Sequence, residues 1–107
     1  MAWVSQHVVR MEVFTLVTTA AKSRKRVTFR FRGEPGGDVF VAGTFNQWDP
    51  TTHKLAWKNG AYTVSLSLQK GKHEYKFVVN GMWCVDPECP DWAPNGHGSL
   101  NSVITVA

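Results

Sequence analysis

Short β-type segments separated by turn signals dominate the chain from Arg26 onward, and this pattern most constrains the fold. The segment 27–31 alternates apolar and polar side chains, which is typical of a strand with one buried face. Asn-Gly pairs at 59–60 and 80–81 favour tight hairpins, because both residue types tolerate a positive φ. With no convincing helix after residue 26, the pattern predicts an all-β fold, an antiparallel immunoglobulin-like β-sandwich.

The same alternation predicts the other strands of this sandwich. A Pro- and Gly-rich segment, 86–99, is predicted to be a long loop because turn-forming residues dominate it. The further predicted strands are 39–42, 55–57, 61–68, 73–79 and 102–106.

The first 25 residues differ from the rest, so we divide the chain into an N-terminal extension, 1–25, and a module, 26–107. Residues 12–19 are rich in Val, Thr and Phe and favour an extra strand, although 8–21 also fits one face of a helix. An added outer strand would present an unpaired edge. We therefore expect it to join the sheet and to promote a homodimer, with 22–26 as the hinge.

Length and charge limit the class of protein. The 107 residues suffice for one domain, and its net charge of +4 arises largely from five basic residues, four at 22–26 together with Arg30. A nucleic-acid surface would need basic residues spread over a face with aromatic residues between them, so no nucleic-acid partner is expected. There is no run of eighteen apolar residues and no signal-sequence pattern, so we expect no membrane span and a cytoplasmic location.

The two cysteines, Cys84 and Cys89, are separated by four residues. Without a secretory signal the expected state is two reduced thiols, although the loop between them could close a disulfide. A zinc site would need two further ligands, and only His97 is close in sequence. We expect no metal and no cofactor.

Three tryptophans lie in polar turn sequences, where an indole is poorly placed to join a core: Trp48, Trp83 and Trp92. An indole has a flat apolar face and one N–H donor, so several held rigidly suit a ligand with apolar faces and polar edges. A pyranose ring has that shape. Any single one of these indoles could instead close an end of the sandwich, but the set favours a sugar ligand.

Four motifs occur in order along the module: GTFNQW at 43–48, KGKHEYKFVVNGMW at 70–83, Asp-Pro at 86–87 and NSVI at 101–104. Together they resemble the glycogen-binding module of the β subunits of AMP-activated protein kinase, a family 48 carbohydrate-binding module. The resemblance implies a β-sandwich that binds an α-1,4-glucan such as glycogen or starch.

By position, the resemblance implies a role for each site residue. Trp48 and Trp83 would be stacking platforms, and Lys76 and Asn101 would hydrogen-bond to sugar hydroxyls. Ser99 replaces a threonine that contacts sugar in the family.

One residue departs from the family pattern. His97 replaces a leucine that pushes into the curved glucan, and a histidine cannot supply the same apolar plug.

Two other functions compete with sugar binding. Glycoside hydrolysis needs two carboxylates on opposite sides of the sugar, but the clustered acids, Asp86, Glu88 and Asp91, share one loop. Catalysis by this chain alone is therefore not expected. The alternative is an interaction module that docks on a kinase or a glucan-active enzyme through a stripe around Val13, Leu16 and Val17, with weak or vestigial sugar binding.

Overall fold

The computed structural model describes residues 24–96 and 98–107, and these residues form nine β-strands. In chain order the strands are β1 (Arg24–Arg32), β2 (Val39–Gly43), β3 (His53–Lys54), β4 (Ala56–Lys58), β5 (Ala61–Gln69), β6 (Gly71–Val79), β7 (Met82–Cys84), β8 (Trp92–Pro94) and β9 (Leu100–Val106).

The strands form two sheets in which every pairing is antiparallel. The smaller sheet has the order β1-β5-β4, and the larger has the order β3-β2-β6-β9-β8, with β7 paired to β6. The all-β antiparallel fold predicted from the sequence is confirmed. Within the part of the chain that the structure describes, no helix is long and apolar enough to cross a membrane.

Both predicted Asn-Gly hairpins are present. Asn59 and Gly60, with φ of 53° and 89°, join β4 to β5, and Asn80 and Gly81, with φ of 50° and 83°, join β6 to β7. Two consecutive positive φ values match the right-handed twist of the flanking strands, which explains why Asn-Gly is favoured there. These turns fix the register of the strands that they join.

Aromatic side chains from the two sheets meet in the core. The ring of Phe29 on β1 lies 4.8 Å from that of Tyr75 on β6, and Phe31 lies 5.3 Å from Phe77, both edge to face. Phe77 and Val41 have no exposed surface. Burying each such side chain contributes about 1.5–3 kcal/mol, so this apolar layer is the main force that holds the sheets together.

No strand was predicted from the sequence at β3 or β8, and β7 was implied only by the predicted hairpin turn at 80–81. Strand β8 lies inside the segment 86–99 that was predicted to be a loop, so that prediction was wrong in part. A strand of two or three residues is too short to show alternation, and it forms only because a neighbouring strand offers hydrogen bonds.

The predicted hinge at 22–26 also needs correction. Residues 24–26 belong to β1 and pair with residues 67–69 of β5, so they are ordinary sheet residues. The predicted N-terminal strand, and the dimer that depends on it, fall on residues 1–23 and therefore lie outside the described residues.

Candidate functional site

A concavity of about 510 Å³ lies on the outer face of the larger sheet. Because Tyr75 and Phe77 of β6 point into the core, the alternate residues Glu74 and Lys76 face outward. The residues that line the concavity are Thr44, Trp48, Glu74, Lys76, Trp83, Pro94, Asn95 and Asn101.

The concavity brings together four of the six residues that the sequence singled out. Trp48, Lys76, Trp83 and Asn101 line it, and Ser99 adjoins it through a hydrogen bond from Lys76. His97 lies outside the described residues. Sequence reasoning missed the four other lining residues: Thr44, Glu74, Pro94 and Asn95.

A tight turn presents Trp48. The carbonyl of Gly43 accepts the N–H groups of Asn46 at 3.1 Å and of Trp48 at 2.9 Å. Gln47 and Trp48 both have positive φ, at 56° and 58°, a conformation that L-residues seldom adopt. Such strain persists only where the surroundings fix the backbone, so the turn holds the indole in one place.

The side chain of Asn46 supplies much of this constraint. It is only 6% exposed, accepts the N–H of Gly43 at 2.9 Å and donates to the carbonyl of Val41 at 3.0 Å. Its Nδ2 also lies 2.9 Å from Nδ1 of His53, which belongs to β3. One buried amide thus connects the end of β2, the turn and the edge strand β3.

Gly43 is required by the close approach of two chain segments. A Cβ atom at this position would overlap the backbone oxygen of Glu74 and the ring of Phe45, and would lie 2.9 Å from Cβ of Tyr75. The absence of a side chain therefore allows the turn that carries Trp48 to lie directly against β6.

Trp83 lies close to the point at which the strand paired with one edge of β6 changes from β9 to β7. Along one edge, residues 71–75 of β6 pair with β9 and residues 77–79 pair with β7. Lys76 is at the gap between these two partners, and Trp83 pairs with Val78 just beyond it. The indole of Trp83 is 47% exposed. The gap between β7 and β9 therefore presents both Lys76 and Trp83 to the concavity.

Two sets of hydrogen bonds fix the polar groups. Lys76 Nζ donates to Ser99 Oγ at 2.9 Å, and Asn95 Nδ2 donates to the same oxygen at 2.6 Å. Asn101, only 7% exposed, donates through Nδ2 to Glu74 Oε1 at 3.0 Å. Side chains that are already oriented lose little rotamer entropy when a ligand binds.

The clustered acids of the 86–91 loop have structural contacts. Asp86 accepts a hydrogen bond from the hydroxyl of Tyr75 at 2.7 Å and another from the backbone N–H of Glu88 at 2.9 Å. Burial, together with this bond to Asp86, raises the pKa of Tyr75. Asp86 therefore links the loop to the core, and Glu74 is the single carboxylate among the lining residues of the concavity.

Two other tryptophans of the described residues, Trp57 and Trp92, and both cysteines are not among the residues that line this concavity. Trp57 is 42% exposed and donates Nε1–H to the carbonyl of Gly33 at 3.0 Å, and Trp92 is 63% exposed. Cys84 and Cys89 are half-buried free thiols, and burial raises the pKa of Cys84. Among residues 24–96 and 98–107, no group of three or more His, Cys, Asp or Glu side chains is arranged to hold a metal ion.

Comparison with known proteins connects this geometry to a family. Residues 25–107 match the profile described as the glycogen recognition site of AMP-activated protein kinase. The chain belongs to this family. The resemblance drawn from the motifs is thereby confirmed, and the match covers all of the residues that the structure describes except Arg24.

Curated relatives agree with this assignment. The 5'-AMP-activated protein kinase subunit beta-2 of Homo sapiens is 37% identical over 73 residues, which are 68% of this chain and 26% of that protein. The subunit beta-1 of Sus scrofa is 34% identical over 91 residues, 84% of this chain and 71% of that protein. Protein FLOURY ENDOSPERM 6, chloroplastic, of Oryza sativa subsp. japonica is 31% identical over 86 residues, 80% of this chain. This glycogen recognition module spans only 16% of the rice protein.

Among solved structures, a maltogenic amylase from S. marinus contains a similar fold. The TM-score is 0.63 at 17% identity, and the match covers 78% of this chain and 14% of the amylase chain. At this level of identity the likeness concerns the β-sandwich alone.

Proposed function

We propose that this chain is a non-catalytic module that binds α-1,4-glucan through stacking on Trp48 and Trp83. The observation that carries the proposal is the concavity in which these two indoles accompany Lys76 and Asn101, whose side chains are held by hydrogen bonds. Membership of a family of glycogen recognition sites supports the same ligand class.

Stacking supplies most of the binding energy in this proposal. The C–H faces of successive glucose units are apolar, and two separately held indoles can each cover one ring. If an indole and its sugar together remove about 100 Å² of apolar surface from water, each platform contributes about 2–3 kcal/mol before the costs of association. Two platforms therefore correspond to dissociation constants on the order of micromolar to millimolar.

The polar groups give selectivity. Lys76 offers N–H donors, and Asn101 offers an acceptor besides the amide that already donates to Glu74. A sugar hydroxyl that enters the concavity without a partner costs about 1–3 kcal/mol. A sugar with an inverted hydroxyl should therefore bind less tightly than glucose. The hydroxyl of Ser99 accepts a hydrogen bond from the Lys76 ammonium and is itself held by Asn95, which keeps the ammonium beside the concavity.

The proposal excludes hydrolysis by this chain. A glycosidase places two carboxyl groups on opposite sides of the bond that it cleaves. Glu74 is the one acidic side chain of the concavity, and it accepts a hydrogen bond from Asn101. Purified protein should release no reducing sugar from maltoheptaose, whereas release that Glu74→Gln abolishes would contradict the non-catalytic assignment.

Calorimetry with maltoheptaose and β-cyclodextrin tests the site. Trp48→Ala and Trp83→Ala should each weaken binding at least about tenfold, because each removes one platform. Trp57→Ala is the matched control, since Trp57 is as exposed as Trp83 but belongs to the smaller sheet. If both site variants keep the wild-type affinity, or if the control loses as much, the site assignment is wrong.

The partner of the module, its domain boundary, its oligomeric state and its location in the cell all stay predictions. The relatives include proteins several times longer than this chain, which favours action beside a catalytic partner. The division into 1–25 and 26–107, the homodimer and a cytoplasmic location are likewise predictions. Deleting residues 1–21 and measuring the oligomeric state by light scattering would test the first two.

A further inference from the structure

His53 contacts the buried amide on which the turn of Trp48 depends. It lies on β3, opposite Val41 of β2, and is half-buried. Its Nδ1 lies 2.9 Å from Nδ2 of Asn46. No role for His53 followed from the sequence motifs, and it is not among the residues that line the proposed glucan site.

The backbone fixes which end of the Asn46 amide faces His53. Oδ1 of Asn46 accepts the N–H of Gly43 at 2.9 Å, and Nδ2 donates to the carbonyl of Val41 at 3.0 Å. The reversed amide would set its N–H groups against the N–H of Gly43 and its oxygen against the oxygen of Val41, so one orientation alone satisfies both. The second hydrogen of Nδ2 is then left for Nδ1 of His53.

This contact requires one protonation state of the ring. An imidazole nitrogen that accepts a hydrogen bond must carry a lone pair, so the contact needs a neutral His53 with its proton on Nε2. A protonated imidazole carries a hydrogen on both nitrogens. The Nδ1–H of His53 would then face the N–H of Asn46, and the attraction would become a repulsion.

Asp49 is the acidic side chain of the turn that interacts with His53. Its Oδ1 accepts the backbone N–H of Thr51 at 2.9 Å and the hydroxyl of Thr51 at 2.8 Å. These bonds, a further bond from Thr52 and, to a smaller extent, the charge of His53 lower the pKa of Asp49. Asp49 therefore stays ionised between about pH 8 and 5, and its charge favours the protonated ring.

Three other elements lie against His53 or its aromatic neighbour. Strand β2, which pairs with β3, has no ionisable side chain. On β3 itself, the ammonium of Lys54 lies 3.1 Å from Oδ1 of Asp38. From β6, His73 approaches the Phe45 ring at 6.2 Å, and His53 approaches the same ring at 6.3 Å. Acidification therefore protonates His53 beside a carboxylate, and the cost falls on its contact with the buried amide.

The ring of His53 is coupled to Trp48 through this amide. Asn46 is only 6% exposed and is bonded to the backbone at two points, so the repulsion must displace the ring or weaken those two bonds. In either case the turn that holds Gln47 and Trp48 at positive φ loses part of its support. An indole that is held less firmly loses more conformational entropy when a ligand binds.

We propose that His53 is a positioning residue of the glucan site, whose neutral ring orients Asn46 and thereby Trp48, and whose protonation lowers the affinity for glucan. The inference rests on the proposed function, because it concerns binding at the same concavity. Glucan binding then favours release of a proton from His53. The affinity therefore declines as the pH falls through the range in which an imidazole gains its second proton, about pH 8 to 5.

Calorimetry with maltoheptaose at two pH values tests the role of His53. The wild type should bind about fivefold more weakly at about pH 5.5 than at about pH 8, the factor that corresponds to one net hydrogen bond. His53→Asn places an oxygen acceptor near the position of Nδ1 and cannot ionise, so its affinity should stay within about twofold of the wild-type value at about pH 8 and should not change with pH. His53→Leu has no acceptor and should bind about fivefold more weakly at both pH values.

Two other histidines provide the controls. His73 contacts the same Phe45 ring, but its Nε2 lies 2.8 Å from the carbonyl oxygen of Gln69. A carbonyl accepts a hydrogen bond from a neutral and from a protonated ring alike, so His73→Gln should keep the pH dependence of the wild type. His97→Gln, at a position outside the described residues, should keep it too.

The outcomes separate this inference from the proposed function. If the wild type binds equally well at both pH values, or if His73→Gln or His97→Gln removes the pH dependence and His53→Asn keeps it, His53 has no positioning role while glucan binding stands. If the wild type binds no maltoheptaose at about pH 8, both proposals fail. Nitrogen NMR of the wild-type ring needs no substitution. The inference expects Nδ1 of His53 to be unprotonated at about pH 8, and a proton on Nδ1 at that pH would overturn it.

Discussion

The outer faces of the two sheets differ sharply, although both follow from the same alternation of side chains. The larger sheet presents indoles, amides and one lysine around a concavity. The smaller sheet presents a row of arginines on β1, beside hydroxyl residues of β5 such as Thr63 and Ser65. The outward residues of β1 are Arg24, Arg26, Thr28, Arg30 and Arg32.

The hydrogen bonds of the two faces differ as well. On the smaller sheet, Arg24 donates to the carbonyl of Ser67 at 3.0 Å, and the exposed hydroxyls of Thr28 and Ser65 lie 2.8 Å apart. On the larger sheet, Asn46 and Asn101 are almost fully buried and oriented by their partners. A flat, solvated face tolerates change, whereas a face built on buried amides does not. The comparison teaches that the inner faces determine the fold, while the proposed binding site depends on how polar groups are buried on one outer face.

The largest expected effect is loss of glucan binding when both platforms are removed. The double variant Trp48→Ala/Trp83→Ala should weaken binding of maltoheptaose at least about a hundredfold, because the loss of each platform alone should cost at least about tenfold. The opposite-face variant Arg26→Ser/Arg30→Ser should bind as the wild type does. Equal losses in calorimetry would mean that the two faces do not differ in function.

Substitutions on the two sheets should also differ in their effect on the free energy of unfolding. Asn46→Ala removes three contacts and leaves buried backbone groups of Val41 and Gly43 unpaired, so it should lower the free energy of unfolding by about 2–4 kcal/mol. Thr28→Ala removes one exposed contact and should cost less than about 0.5 kcal/mol. Urea denaturation measures both, and similar values for the two variants would contradict the distinction.

Alkaline pH should lower the free energy of unfolding, in part through Tyr75 of the larger sheet. The pKa of Tyr75 is raised in the folded protein, so its phenol stays neutral at a pH where an unfolded phenol, with a pKa of about 10, ionises. The stabilisation is complete below about pH 10 and declines above it by up to about 1.4 kcal/mol per pH unit. In denaturation experiments between about pH 9 and 11, the free energy of unfolding of Tyr75→Phe should therefore decline less steeply with pH than that of the wild type. A decline of the same slope in Tyr75→Phe would exclude Tyr75 as its cause.

Salt should change the affinity for glucan very little, whereas it should strongly weaken binding of anions to the arginine row of β1. A neutral ligand held by stacking should change its affinity less than about twofold between about 50 and 500 mM salt, because screening acts on charges. Retention on an anionic resin should fall steeply over the same range and should weaken in Arg26→Ser/Arg30→Ser. A glucan affinity that depends strongly on salt would indicate an ionic contribution to the site.

Much of the fold could be predicted because its determinants are local. The alternation in β1, β5 and β6 and the pairs Asn59-Gly60 and Asn80-Gly81 identify strands and hairpins within a few residues of sequence. The pairing of β8 with β9 depends instead on the path of the chain between them, which short patterns do not encode.

The residues of the candidate site also divide into those that local sequence motifs identify and those that only the folded chain brings together. Trp48, Lys76, Trp83 and Asn101 belong to motifs and were named from the sequence, although their contacts with sugar stay predictions. Glu74 could have been found, since it lies two residues before Lys76 on the same face of β6. Asn95 could not, because its side chain reaches Ser99 only through the fold of the loop.

The arginine row corrects one interpretation of the charge. From the sequence, most of the net charge was assigned to the basic residues at 22–26 and Arg30, with no common face predicted for them. In the structure, residues 24–32 form one strand whose outward positions are mostly arginine, and Arg32 forms an ion pair with Glu88 at 3.2 Å. The described module is therefore cationic on one face.

The gap between β7 and β9 has a consequence for how such modules can diversify. Each strand is held to β6 by its own pairs, at residues 77–79 and 71–75, so the segment from 85 to 91 leaves the sheet and returns without setting either register. Insertions near the exposed Pro87 and Glu88 should therefore lengthen this loop while leaving the pairings of β7 and β9 with β6 intact. Loop length can in this way vary between related modules without altering the strands beneath.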